Sequence, residues 1–201
     1  MYKINELDRS GLRKLHLDMP PSVENVQLIM LDSYLDFQDN EVRKLFSNAN
    51  QNYPCFEKWY DSKLVKDAIV NKENYIRHFN NKKNDSIYGY YRHNESLPDG
   101  RLVLVAAVNE KLAGLSVLKI NPLEHKISTF FIDKNFNNIG LGTLLLNCSL
   151  LLLNDKEVNI TVSEGALDQM TPFLIKNGFR EYKSVPDEYI KNKKETHFIK
   201  K

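Results

Sequence analysis

Cysteine, net charge and long hydrophobic runs are three things that this sequence has little of. The 201 residues include two cysteines, Cys55 and Cys148, which form no CxxC pair. This spacing argues against a zinc ribbon, a dithiol redox site or another metal site. A reducing cytoplasm is the simplest setting for so few cysteines. The formal net charge of +2 is too small to indicate a nucleic-acid-binding protein.

The most apolar segment, residues 144–153, is far shorter than the roughly 20 residues that a membrane-spanning helix needs. It is therefore predicted to be a buried helix, and no membrane partner is expected. The N-terminal residues lack the apolar centre of a signal peptide. A hydrophobic content of 42% suits one domain over residues 1–201 with a sizeable core.

Strand-like and helix-like patterns alternate along the chain, which favours an α/β or α+β sheet with helices on both faces. Thr171 and Pro172 are interpreted as a kink or a fresh helix start, and Gly178 as a helix end. The predicted strands are 26–30, 102–108, 112–120, 126–132, 158–162, 179–185 and 197–200. The predicted helices are 40–46 (capped by Asp39 or Asn40), 56–70, 141–153 and 164–177.

One stretch, residues 132–153, combines the end of a strand, a polar loop and the start of an apolar helix. The loop ends in Gly140-Leu141-Gly142. The first N–H groups of a helix lack internal partners, and the helix dipole adds positive charge there, so this layout predicts a phosphate site. Glycine lets the backbone approach a ligand closely. The alternative is that the loop is only a structural turn.

The glycine loop departs from two common nucleotide motifs. It lacks the GxxxxGK[ST] pattern of a P-loop, and the third glycine of a dinucleotide fingerprint would fall at Leu145. Residues 137–143, NNIGLGT, instead resemble the acyl-CoA motif of the GNAT N-acetyltransferase superfamily, Q/R-x-x-G-x-G-A/G. Residues 173–179, FLIKNGF, resemble the FYxKxGF ending of the same superfamily. The resemblance covers roughly residues 100–185.

The resemblance implies a GNAT-like mixed, mostly antiparallel twisted sheet in which strands 126–132 and 158–163 splay apart. Acetyl-CoA would be the acyl donor, with its pantetheine arm between these strands and its thioester oxygen near a backbone N–H of about Ile132. Residues 1–100 would form the acceptor side, 101–185 the acyl-CoA-binding core and 186–201 a closing strand and tail. The implied cofactor-binding residues are Phe131, Ile132, Asn137, Asn138, Ile139, Gly140, Leu141, Gly142 and Thr143.

Three positions depart from the family pattern. Leu174 replaces the tyrosine that often acts as general acid, Leu167 replaces an asparagine, and Asn137 replaces the usual Gln or Arg. Glu124 is the predicted general base, with His125 as a lesser candidate, and an exposed hairpin turn is the alternative for this segment. Other residues that could serve the chemistry are Ser163, Glu164, Tyr182 and Tyr189.

The predicted reaction is direct acetyl transfer from acetyl-CoA to a primary amine, either of a small molecule or of a protein. A homodimer is compatible with it. The alternative is a GNAT-fold protein that binds CoA or a partner without efficient catalysis. Trp59, Tyr60 and the tyrosine-rich segment 87–93 could line an acceptor pocket, or they could simply pack onto the sheet and its surface.

Overall fold

The computed structural model describes residues 26–31, 34–50, 56–68, 100–121, 124–153 and 157–201. The predictions for residues 73–99, including the tyrosine-rich segment 87–93, and for Cys55 lie outside the described residues. No helix in the described part of the chain has both the length and the apolarity needed to cross a membrane.

The core of the molecule is a seven-stranded sheet with the order β1-β2-β3-β4-β5-β7-β6. All neighbouring strands are antiparallel except β4 and β5, which are parallel. The mixed, mostly antiparallel sheet of the sequence prediction is therefore confirmed. The strands are β1 (Val26–Met30), β2 (Gly100–Val108), β3 (Lys111–Asn121), β4 (Glu124–Ile132), β5 (Val158–Ser163), β6 (Arg180–Pro186) and β7 (Lys194–Lys200).

Helices cover both faces of the sheet, as predicted. The first face carries α1 (Tyr34–Gln38), α2 (Asn40–Ala49) and α3 (Phe56–Trp59), which continues as a π-helical turn (Tyr60–Leu64) and a helical end at 65–68. The second face carries α4 (Leu141–Leu152) and α5 (Leu167–Lys176). Each face has its own hydrophobic core, because alternate residues of the central strands point to opposite sides.

The first face is held in place by a few polar contacts. Asp39 caps α2, as one of the two predicted caps, and its carboxylate accepts hydrogen bonds from the N–H groups of Glu41 and Val42. Tyr60 is buried, and its hydroxyl donates to the Phe37 carbonyl at 2.8 Å. This bond joins α3 to α1 and fixes the position of the neighbouring Trp59.

Strand β4 contains a bulge that reverses which residues face the first side. Val117 of β3 pairs with Thr129, whereas the next residue, Leu118, pairs with Ile127, so Ser128 is the extra residue. A bulge of this kind re-aims side chains and increases the local twist. Consequently Ser128 and Thr129, although adjacent in sequence, both lie on the side of α3.

Two details of the C-terminal half differ from the sequence prediction. Helix α5 begins at Leu167 and runs through Pro172, so Thr171 is not the cap of a fresh helix. Strand β7 begins three residues before the predicted His197 and lies between β5 and β6. The predicted end of α5 is confirmed: Gly178 has a φ of +85°, and the N–H groups of Gly178 and Phe179 bond back to Ile175 and Leu174.

Candidate active site

Strands β4 and β5 pair over only three residues and then separate. The last pair is Ile127 with Ile160. Beyond it, β4 continues to pair with β3 as far as Ile132, and β5 continues to pair with β7 as far as Ser163. The two strands therefore enclose an opening within the sheet, as expected for the splayed pair.

The backbone of β4 presents N–H groups to this opening. The Asp133 N–H donates to the Ala113 carbonyl of β3 at 2.9 Å. Because backbone groups alternate in direction along a strand, the N–H groups of Ile132 and Phe130 point away from β3, towards the opening. The backbone groups of Phe131 point to β3, and its side chain packs against the core of the first face. The backbone N–H of Phe130 therefore points in the same direction as that of Ile132, whereas the N–H of Phe131 points to β3.

The loop after β4 delivers the N-terminus of α4 to one end of the opening. Asp133 caps a 3-10 turn (Lys134–Phe136), and Asn138 and Gly140 then take positive φ values of 62° and 85°. Gly140 occupies the N-cap position of α4, where it has no side chain with which to cap the helix. The first N–H groups of this 12-residue helix therefore meet no capping side chain, and the helix dipole makes this end positive.

The two glycines of the loop have different reasons to be glycine. Gly140 adopts a left-handed conformation that other residues resist. Gly142 has no such need, and a Cβ added there would make ordinary contacts at 3.5 Å with Phe173 and 3.6 Å with Ile132. Nothing in the local packing therefore requires a glycine at position 142, and its predicted role in binding a ligand stays a prediction. Residues 137–143 all lie in this loop and first turn, as predicted.

A cavity of about 480 Å³ lies on the first face of the sheet, beside the same opening. Ser128, Thr129 and Thr161 are the first residues beyond the last β4–β5 pair, and all three line the cavity. The other lining residues are Asn50, Phe56, Trp59, Arg101, Lys119, Glu124, Lys126 and Tyr189. This volume is in the range of small-molecule binding sites.

Glu124, the predicted general base, lines this cavity. Strand β4 begins at Glu124, two residues earlier than predicted, so the residue lies in the sheet and not in an exposed turn. Its carboxylate forms an ion pair with Lys119 on β3. Burial acts to raise the Glu124 pKa, but the hydrogen bond and charge of Lys119, with help from Lys126 and Arg101, lower it overall. The carboxylate is therefore ionised at neutral pH.

Lys126 lies beside Glu124 on the same face and contacts Tyr189. Its ammonium donates to the Tyr189 hydroxyl at 2.9 Å and lies 5.4 Å from the centre of that ring. Burial lowers the Lys126 pKa, although Glu124 and two other carboxylates oppose the shift. Burial and the charge of Glu188 raise the Tyr189 pKa to about 12, so this phenol keeps its proton at neutral pH.

The loop between β6 and β7 positions Tyr189 over the cavity. The Asp187 N–H donates to the Lys193 carbonyl at 2.8 Å, and Asp187 also accepts a bond from the Asn192 N–H. Within this loop, Glu188 pairs with the buried His197 of β7. Tyr189 is a candidate from the sequence, but no sequence pattern predicts its position, because the loop reaches the cavity only through the β5–β7 pairing.

Arg101 and two aromatic rings form the opposite wall. The Arg101 guanidinium lies 5.3 Å from the centre of the Trp59 ring, 3.4 Å from Asp67 and 3.2 Å from the Ser128 hydroxyl. Trp59 and Phe56 contact each other, with ring centres 6.0 Å apart. Trp59 therefore lines the cavity, whereas Tyr60 is a core residue. That Trp59 lines an acceptor pocket stays a prediction. No motif in the sequence pointed to Arg101, Lys119 or Thr161.

Several other candidate residues lie away from the cavity. Leu174, at the position of the family tyrosine, is fully buried in the core of the second face. Leu167 packs against the same core. Tyr182 is exposed on the edge strand β6, with its ring against His197. The alternation of β4 places His125 on the opposite face from Glu124, as predicted.

No family model matches this sequence, and no curated protein matches it. Solved structures do share its fold. A GNAT-family protein from Desulfovibrio desulfuricans superposes with a TM-score of 0.61 at 12% identity, over 87% of this chain and 97% of its own. The PaiA N-acetyltransferase of Thermoplasma acidophilum, bound to coenzyme A, superposes with a TM-score of 0.56 at 17% identity, over 88% of this chain and 99% of its own. A Bacillus subtilis acetyltransferase, also with CoA, superposes with a TM-score of 0.55 at 12% identity, over 88% of this chain and 98% of its own. The chain therefore has the fold of the GNAT acetyltransferases.

Proposed function

We propose that this protein is an acetyl-CoA-dependent N-acetyltransferase that transfers the acetyl group directly to a primary amine. One observation carries the proposal. The opening between β4 and β5 begins next to the cavity, at Ser128, Thr129 and Thr161, and ends beside the uncapped N-terminus of α4. A donor bound through the opening and an acceptor bound in the cavity would therefore meet. The coenzyme A held by the Thermoplasma and Bacillus proteins supports this donor.

On the donor side the protein would act mainly through its backbone. The N–H groups of residues 139–143 would bind the pyrophosphate. Asn137 offers an amide where the family has a longer or charged side chain, so these backbone groups would supply most of the binding. The N–H groups of Ile132 and Phe130, which point to the opening, would bond the thioester oxygen, where negative charge develops during transfer. When bound, acetyl-CoA supplies an acetyl group activated as a thioester.

On the acceptor side, Glu124 would face the amine in the cavity and take its proton, directly or through water. The amine nitrogen then forms a bond to the carbonyl carbon, and the bond from that carbon to sulfur breaks. The departing thiolate needs a proton, which Leu174 cannot give. Tyr189 is a protonated phenol that lines the cavity, so we assign it as the proton donor.

One observation favours a second candidate, a GNAT-fold protein that binds CoA without efficient turnover. Leu174 is fully buried, so the usual acid is absent from its usual place. The two candidates differ in one respect only. Both require CoA binding, but the first also requires release of free thiol from acetyl-CoA in the presence of an amine.

Isothermal titration with acetyl-CoA and with CoA tests the shared requirement. We expect binding by the wild-type protein and by the Gly142→Ala variant, because the added methyl group makes only ordinary contacts. Gly142→Asp should abolish binding while the protein stays folded, since a carboxylate would lie beside the phosphates. Unchanged affinity in a folded Gly142→Asp protein would refute the donor site. Thiol release with an amine panel then separates the enzyme from the non-catalytic binder.

A further inference from the structure

We propose that the acceptor is a small zwitterionic amine, of the α-amino-acid type, with an apolar or aromatic side chain. The inference rests on the proposed function in so far as it takes the cavity to be the acceptor site. It goes further by stating which chemical class of amine the side chains of this cavity select.

The first support is the charge balance of the cavity. Three cations line it, namely Arg101, Lys119 and Lys126, against the single carboxylate of Glu124. Asp67 pairs with Arg101, and Glu124 pairs with Lys119. Lys126 forms no contact ion pair within the described part of the chain, and its ammonium donates to the neutral Tyr189 hydroxyl. The carboxylates of Glu124, Glu188 and Glu195 act on it from a longer distance.

A partly buried ammonium without a contact ion pair is costly, because burial removes its hydration. Burial indeed lowers the Lys126 pKa. A carboxylate on the ligand would supply a contact ion pair and a charge-assisted hydrogen bond. Among the three lining cations, Lys126 is thus the one that forms no contact ion pair within the described residues.

The second support is the spacing of opposite charges along β4. Glu124 and Lys126 are two residues apart on one strand and both line the cavity. Their Cα atoms are therefore roughly 6.6 Å apart, at about 3.3 Å per residue. An α-amino acid carries an ammonium and a carboxylate on one carbon. Its ammonium can bond to Glu124 while its carboxylate bonds to Lys126.

The third support is the aromatic lining. Phe56, Trp59 and Tyr189 offer ring surfaces to an apolar side chain. A polyamine fits these features poorly. Its several ammonium groups would face Lys126, Arg101 and Lys119, and like charges repel at these short distances.

The test measures the binding of four probes by isothermal titration, to the protein alone and to the protein saturated with CoA. The probes are L-phenylalanine, L-phenylalaninamide, phenethylamine and spermidine. We expect L-phenylalanine to bind at least about tenfold more tightly than the amide or phenethylamine, which lack the carboxylate. Lys126→Met should remove this preference, and Lys126→Arg should preserve most of it because the positive charge remains.

Equal affinity for L-phenylalanine and phenethylamine would overturn the inference. Tighter binding of spermidine, or no binding of any probe, would do the same. Thiol release with spermidine but not with L-phenylalanine would overturn it while leaving the proposed function standing. If CoA does not bind, the proposed function fails, yet the affinities of the protein alone still decide whether Lys126 selects a carboxylate.

Discussion

The two sides of the opening in the sheet are built in different ways. The proposed donor side comes from one continuous stretch, residues 132–143, and offers mainly backbone N–H groups. The cavity, which is the proposed acceptor side, is lined by side chains from the end of α2, from α3, from strands β2 to β5 and from the β6–β7 loop. A backbone site tolerates changes of side chain, whereas a side-chain site changes its specificity with each of them. The backbone site can therefore persist while the side-chain site diverges.

The electrostatics of the two sides differ as well. The donor side owes its positive character to the helix dipole and to unpaired N–H groups. The proposed acceptor side holds discrete ion pairs, Glu124 with Lys119 and Arg101 with Asp67, together with Lys126, whose ammonium contacts the Tyr189 hydroxyl. Substitutions on the donor side should therefore change CoA affinity alone, and substitutions on the acceptor side should change turnover or the choice of amine.

The largest effect is expected for Tyr189→Phe, which removes the assigned proton donor. A positioned acid or base contributes about 10²–10⁴-fold, so kcat should fall at least about 100-fold. CoA affinity should not change, because the residue lies on the acceptor side. Initial rates of thiol release and CoA titration measure the two quantities. Since the Tyr189 pKa is raised to about 12, the wild-type rate should show no tyrosine titration between about pH 6 and 9.

Tyr182→Phe is the matched control, because Tyr182 is an exposed tyrosine on the neighbouring strand. It should retain the wild-type kcat. A Tyr189→Phe protein with normal kcat would remove Tyr189 from the mechanism. A large fall in its CoA affinity would mean that a substitution on the acceptor side also affects donor binding.

A smaller effect is expected on the donor side for Thr143→Glu. Thr143 is exposed in the first turn of α4. A glutamate there interacts favourably with the helix dipole, so the free energy of unfolding should rise by about 0.3–1 kcal/mol. The same charge would repel the phosphates, so CoA affinity should fall roughly tenfold, or about 1.4 kcal/mol. Thermal unfolding and calorimetric titration measure these opposite changes.

Thr143→Gln is nearly equal in size to the glutamate variant and carries no charge, so it should retain most of the CoA affinity. The difference between the two variants should shrink at high salt, because an exposed charge is screened. Equal affinities at low salt would show that phosphates do not bind at this helix end.

Glu124→Gln should lower kcat/KM roughly tenfold, less than the loss of a base that is strictly required, because an amine that enters the cavity unprotonated can react without Glu124. The Glu124 pKa is lowered, so the group is ionised throughout the neutral range. The variant should therefore be slower at every pH between about 6 and 9, with an unchanged shape of the pH profile. If the rate of the wild-type protein falls at low pH and the rate of the variant does not, Glu124 titrates during turnover.

The same lowered pKa sets the sign of a stability effect. The ion pair with Lys119 stabilises the fold above the unfolded glutamate pKa of about 4.3. This contribution is lost as the pH falls through the lower folded pKa. Acid unfolding of Glu124→Gln should lack that part of the pH dependence, which chemical denaturation at several pH values would measure.

The difference between the two sides also explains how much of the protein could be predicted from its sequence. The glycine loop and α4 were predicted correctly because their residues are contiguous and each signal is local. The splay of β4 and β5 was implied by the family resemblance and not by a local pattern. Glu124 and Lys126 were correctly assigned to one face by strand alternation. The bulge at Ser128 leaves no signal of that kind, so the presence of both Ser128 and Thr129 in the cavity was not foreseen.

Long-range pairing accounts for the rest. Arg101, Thr161 and Tyr189 come together only through the order of strands in the sheet. Strand β7 lies between β5 and β6, and this insertion brings the loop carrying Tyr189 to the cavity. The start of α5 was uncertain because proline favours the first turn, yet here Pro172 follows five helical residues.

The smallest effect is expected for Tyr60→Phe, which tests the wall of the proposed acceptor cavity. Tyr60 supports that wall but does not line the cavity itself. The variant loses the buried hydrogen bond from the Tyr60 hydroxyl to the Phe37 carbonyl, so the free energy of unfolding should fall by about 1 kcal/mol. Because Tyr60 fixes the helix that carries Trp59, the KM for the amine should rise while CoA affinity stays constant. Denaturant unfolding, amine kinetics and CoA titration measure these changes. A parallel loss of CoA affinity would mean that the two sides of the opening are coupled through the sheet.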